Sequence, residues 1–204
     1  MLALTTKLSW YIARSSGLIA WALVTFTVIW GLALSSRLIR KRGVPAWLLS
    51  LHRYLATLTV VFVAVHILAL VADNYVYYGW KELFVPLAVR TRPGPTAWGI
   101  AAFYVLVAIQ ITSWLMKRLP RRLWHAIHLS SFGLYGAATV HALQGGTDTS
   151  NRFVQLAAFA GLAVVAGLVF FRVLTRSNQS QRRPATAPAV DGAAAVRQER
   201  AAAS

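Results

Sequence analysis

The sequence predicts an all-α membrane protein: a five-helix transmembrane bundle with its N-terminus outside and its C-terminus in the cytoplasm. Three observations predict it. The chain of 204 residues is 57% hydrophobic and 13% charged, a membrane composition. Apolar stretches of about 19 to 25 residues recur five times, each long enough for a hydrocarbon core about 30 Å thick. Basic residues gather where these stretches end, as they do when a membrane protein fixes its orientation. The net charge of +16 therefore marks topology. No basic folded surface remains for nucleic acid once the spans are removed. The chain has no cysteine, which excludes disulfides and thiolate ligation of metal or haem.

Taken in order, residues 15–36 are uncharged, with Arg14 before them and Arg37, Arg40, Lys41 and Arg42 behind. A signal peptide has a shorter apolar core and carries its positive charge ahead of it, so this is read as the first span. The second, 48–72, is opened by Pro45 and Trp47, and the third is 97–116. The fourth is 123–144 and the fifth 153–171. The connection 73–96 carries Tyr75, Tyr77, Tyr78, Trp80 and Phe84, a composition suited to the membrane interface. Two regions are expected: a transmembrane domain over 10–172 and a basic tail over 173–204. The tail is rich in Ala, Pro, Gln, Ser and Arg without apolar period, so it is expected to be disordered.

Loop charge sets the orientation. The 36–53 connection, the 117–122 connection and the segment after 171 hold five, four and six of the 21 basic residues. The opposite side has Lys7, Arg14, Lys81, Arg90, Arg92 and Arg152, offset by Asp73, Glu82 and Asp148. The richer side faces the cytoplasm. The second and fourth spans then run parallel, which sets His52 level with His128 on the inner side and His66 level with His141 on the outer side.

Those histidines carry the chemistry. His52 and His66 are fourteen residues apart on an otherwise apolar run, about 40° short of four full turns and roughly 21 Å along the axis. Both leave one face. A lone histidine on an apolar face is more often a satisfied core residue than a ligand. Two level pairs are another matter, because unpartnered imidazole in hydrocarbon costs several kcal/mol and ionisable groups in spans are functional candidates. Bare zinc or copper gathers three or more ligands at one place, which these spacings forbid. Two bis-histidine haem centres fit.

One geometric demand follows. His128 and His141 are thirteen residues apart, so a regular helix would point them about 140° apart. The fourth span must deviate between them, for example by a π-bulge, and Ser130, Ser131, Gly133 and Gly136 give it the opportunity. Gly133, Gly136, Ala137 and Ala138 leave room for a flat macrocycle, although small residues taken alone point first to helix packing. His125, sixteen residues before His141, is the alternative inner ligand, with a rise of about 24 Å that matches the facing interval less well. Arg53, Arg121 and Arg122 at the inner level and Arg14 at the outer are candidate propionate contacts, or topology markers only.

The fourteen-spaced pair in LHRYLATLTVVFVAVH and the thirteen-spaced pair in WHAIHLSSFGLYGAATVH, one span apart, resemble the ferric reductase-like transmembrane domain. That domain is shared by ferric reductases, NADPH oxidases and the haem subunit of the periplasmic methionine-sulfoxide reductase. WYIARSSGL and HALQGGTDT are similar to stretches of bacterial members. The resemblance implies two b-type haems, held by His52 with His128 and by His66 with His141, and one-electron transfer across a bacterial cytoplasmic membrane by a multi-pass protein. Five spans stand where the oxidases have six. No GxGxxG follows a strand, and the segment after 172 is too short and polar for a flavin or nicotinamide domain.

The expected function is thus that of an oxidoreductase membrane subunit. Its donor is a separate flavoprotein reductase or a quinol, and its acceptor is ferric iron, oxygen or an external protein. A methionine-sulfoxide reductase-type haem subunit is one alternative. The other is a histidine-based metal-ion or proton carrier, against which no span carries Asp or Glu.

Overall fold

The computed structural model describes the backbone of residues 2–35, 45–73, 79–145, 151–181 and 201–202, and the side chains of these from 8 to 174 and at 201–202. The described residues are helical apart from short connections. In chain order the helices are α1 (Leu2–Ser35), α2 (Ala46–Val71), α3 (Trp80–Phe84), α4 (Pro93–Trp114), α5 (Arg121–Leu129), α6 (Ser131–Gly145) and α7 (Arg152–Gln181). Helix is the secondary structure that apolar spans can adopt in lipid without an edge, since every amide bonds within its own segment. The hydroxyls obey the same rule. Thr25, Thr27, Thr59, Thr112 and Thr139 each donate to the carbonyl four residues earlier, so polar side chains in the spans are satisfied locally. Prolines mark the starts: Pro45 caps α2, Pro93 opens α4 and Pro120 caps α5, positions where a missing N–H costs nothing.

Four of these helices are long and apolar enough to cross a membrane: Leu8–Ser35, Ala46–Val71, Pro93–Trp114 and Arg152–Leu174. The remaining predicted span, 123–144, consists of two helices, α5 and α6, neither of which reaches crossing length alone. They part at Ser130, whose ψ is −6° against about −42° in a regular helix. Its N–H bonds back to Ile127, a tightened 3₁₀-type turn. The irregularity that the thirteen-residue spacing demands is therefore a helix break.

The chain divides into two compact units, Met1–Leu168 and Val169–Ser204. In the first, α1 packs along α2 and α4 along α6, with α1 also touching α6. A buried stripe of Ala13, Ser16, Ala20, Val24, Val28 and Leu32 lines α1, with helical spacing throughout. Trp30 Nε1 donates to the Leu48 carbonyl at 3.0 Å, and Trp21 Nε1 to Thr139 Oγ1 at 3.1 Å. These bonds tie α1 to α2 and to α6. Large apolar side chains such as Phe26, Val61, Leu68, Phe153 and Phe159 are exposed, as expected of surfaces that face lipid. In the long connection, Trp80 and Phe84 stack within α3 at 6.1 Å, whereas Tyr75, Tyr77 and Tyr78 lie outside the described residues. In the second unit, α7 continues as helix through Gln181. Residues 182–200 lie outside the described residues, as do Arg37, Arg40, Lys41, Arg42 and Asp148.

Candidate functional site

The two levels of histidines predicted from sequence are brought together. His52 on α2 faces His128 on α5, ring centroids 6.2 Å apart and planes at 67°. His66 on α2 faces His141 on α6, centroids 6.4 Å apart and planes at 76°. Two metal–nitrogen bonds of about 2.0 Å, with about 1.1 Å from ring centre to nitrogen on each side, put collinear imidazole ligands about 6.2 Å apart. An edge-to-face ring contact falls in the same range, so spacing by itself does not choose between them.

Hydrogen bonding does more. His66 Nδ1 lies 2.7 Å from the Ala13 carbonyl of α1, and His141 Nδ1 lies 2.8 Å from the Pro95 carbonyl of α4. A carbonyl only accepts, so each Nδ1 carries the proton and donates it. In the neutral ring Nε2 is then left with a bare lone pair. This is the arrangement in which an imidazole binds metal through one nitrogen while a neighbour fixes the other. At the other level, His52 Nδ1 and His128 Nδ1 are buried with no partner in hydrogen-bond geometry. The Thr27 backbone carbonyl faces His52 without reaching that geometry. Among the described residues no group of three or more His, Asp or Glu side chains could hold a bare metal ion. The residues present suit a group that takes two axial ligands per centre. They also suit its shape, for the backbones of α2 and of α5 and α6 approach within 8 Å at no more than isolated points.

The helices hold the rings through glycine. A Cβ on Gly17 would stand 2.9 Å from His66 Nδ1, and one on Gly99 would stand 2.7 Å from His141 Nδ1. Gly31 would meet His52 Cε1 at 3.1 Å, and Gly145 would meet His141 Nδ1 at 3.2 Å. Nothing lies within 4 Å of a Cβ at Gly133 or Gly136, the glycines whose small size suits either helix packing or macrocycle room. The sequence did hold a signal for the first set. Gly17 and Gly31 are fourteen residues apart, like His52 and His66.

The arginines and His125 are placed as follows. Arg14 lies over the Trp10 ring at 5.0 Å, next in sequence to the Ala13 that serves His66. Arg53 is exposed beside His52. Arg121 and Arg122 line an open cleft with Trp124, His125, Ala126 and Leu129. His125 is exposed there, and it is His128 that the structure sets against His52. Trp124, not singled out from sequence, stacks on His128 at 5.0 Å and 20°, with its Nε1 buried and unpartnered. Arg92 reaches the Gln144 carbonyl at 3.4 Å, which ties the start of α4 to the end of α6 beside His141.

Comparison with known proteins gives one match. No curated protein and no solved structure matched the chain. A family model described as "Ferric reductase like transmembrane component" matches residues 9–139, more than half of the chain. The matched stretch contains His52, His66 and His128, and His141 lies two residues past its end. The chain belongs to the ferric reductase-like transmembrane component family, a family of membrane domains that generally bind haem.

Proposed function

We propose that the chain is the membrane subunit of a ferric reductase-like oxidoreductase of the bacterial cytoplasmic membrane. It passes single electrons between a cytoplasmic flavoprotein or quinol donor and an acceptor at the outer face. The observation that carries this reading is the pair of facing levels, His52 with His128 and His66 with His141, together with the carbonyl contacts that hold His66 and His141 with Nε2 bare. When bound, b-type haem supplies iron that changes oxidation state by one electron. The chain's own part is to hold and insulate. His52 and His128 hold the inner group and His66 and His141 the outer. Ala13 and Pro95 fix the outer imidazoles as Nε2 donors.

The fourteen-residue spacing of His52 and His66 sets the two levels roughly 21 Å apart along α2, which is most of the hydrocarbon thickness. In this reading α5 and α6 together make the fourth of five crossings. Arg53, Arg121 and Arg122 lie on the cytoplasmic side as candidate propionate contacts, with Arg14 on the outer side. The N-terminus is then outside and the C-terminus cytoplasmic.

The test is transmembrane reduction. Protein reconstituted into liposomes with ferricyanide trapped inside is given dithionite outside, and ferricyanide bleaching is followed. Wild-type protein should bleach it well above the rate in empty liposomes, and His66→Ala should slow this by about tenfold or more. A wild-type rate equal to that of empty liposomes would overturn the reading.

A further inference from the structure

Gly17, Gly31 and Gly99 share one local arrangement. Each follows by four residues the carbonyl that faces a histidine: Ala13 before Gly17 at His66, Thr27 before Gly31 at His52, and Pro95 before Gly99 at His141. A helical side chain leans toward the N-terminus and covers the turn before its own Cα. The residue four places on is therefore the one whose Cβ shields a given carbonyl. Glycine leaves that carbonyl bare on its flank. The oxygen has two lone pairs, one used by the helix's own N–H and one open to an outside donor; at Ala13 the Ser16 hydroxyl also approaches that oxygen, at 3.2 Å, while making its shorter bond to the Ile12 carbonyl.

On α1 the two glycines are fourteen residues apart, and on α2 the histidines run fourteen apart in the opposite sense, Gly17 at His66 and Gly31 at His52. That is the register of an antiparallel helix pair. The two levels are not equal, however. Both outer imidazoles donate Nδ1–H to their carbonyls, at 2.7 and 2.8 Å, whereas neither inner Nδ1 has a partner in hydrogen-bond geometry.

We infer that Gly17 and Gly99 are positioning residues, which bare the Ala13 and Pro95 carbonyls to His66 and His141 and so hold the outer centre at the lower reduction potential of the two. The inference rests on the haem reading above and deepens it. Donating Nδ1–H to a carbonyl raises the electron density and basicity of the ring. A more basic axial ligand favours ferric over ferrous iron, which lowers the potential. A methyl at position 17 or 99 would stand within 2.9 or 2.7 Å of the ring nitrogen, closer than carbon and nitrogen can pack, so the ring must leave the carbonyl.

The experiment is a potentiometric titration of the purified haem-loaded protein, with low-spin ferric signals followed by electron paramagnetic resonance. In the wild type the lower-potential step should be the one that disappears in His66→Ala. Gly17→Ala and Gly99→Ala should each raise that step and shift its signal, or lose the outer haem alone. The inner step should stay in place, and Gly167→Ala, where a Cβ meets nothing within 4 Å, should change neither. Gly145→Ala, with a softer approach of 3.2 Å, reads the same centre should the tighter variants not assemble. Unchanged outer signals in the glycine variants would overturn the inference, as would loss of the higher-potential step in His66→Ala, while the haem reading stood. A wild-type protein without haem would overturn the haem reading itself.

Discussion

His128 rather than His125 is the side chain set against His52, and the two are separable by a single substitution each. On the proposed haem reading, replacing His128 with Ala would remove an inner ligand, and Trp124, stacked on it at 5.0 Å, could not replace a nitrogen donor. His125→Ala, in an exposed position, should leave the visible spectrum and haem content of purified protein intact, whereas His128→Ala should lose the inner haem. The reverse result would make His125 the inner ligand. At this scale the sequence was legible where a residue type is expensive in hydrocarbon, because two imidazole pairs on apolar helices ask for an explanation. The glycines were harder to read. A fourteen-residue interval between Gly17 and Gly31 means nothing until α1 is known to lie antiparallel against α2. Gly133 and Gly136 drew attention for macrocycle room, yet it is Gly17, Gly31, Gly99 and Gly145 that lie against the rings.

Among the elements, the break between α5 and α6 decides whether one chain segment can serve both levels. A continuous helix would turn His128 and His141 about 140° apart, whereas with the turn at Ser130 both face α2. Deleting Ser130 would pull α5 along and around α6 by one residue, about 100° and 1.5 Å. That variant should keep the outer haem and lose the inner, as read from haem content and spectrum. Retention of both would show that the break is incidental.

The spacing alone required a deviation, though not its form. A helix break and a π-bulge meet the same angular demand, so the spacing by itself does not select between them. The cross-links that hold α1 were equally invisible, since indole partners depend on tertiary placement. Trp21→Phe removes the bond to Thr139 at 3.1 Å and should cost about 1 kcal/mol, seen as a lower melting temperature in detergent with the haem spectrum retained. A large spectral change would mean that Trp21 does more than tie α1 to α6.

For the whole molecule, composition and the placement of basic residues were enough to predict an all-helical membrane protein, because lipid leaves few choices of backbone. The described residues bear this out with four candidate spans, and the family match covers 9–139. Electron donor and acceptor are properties of partners whose surfaces the chain does not encode. The central claim, two haem centres bridging α2 to α5 and α6, is tested most directly by the haem-to-chain ratio of detergent-purified protein, measured by pyridine haemochrome alongside the four single His→Ala variants. The wild-type chain should carry two low-spin b-type haems, and close to one should remain when His52, His66, His128 or His141 is replaced. A colourless wild-type protein, or variants that keep both haems, would contradict the claim.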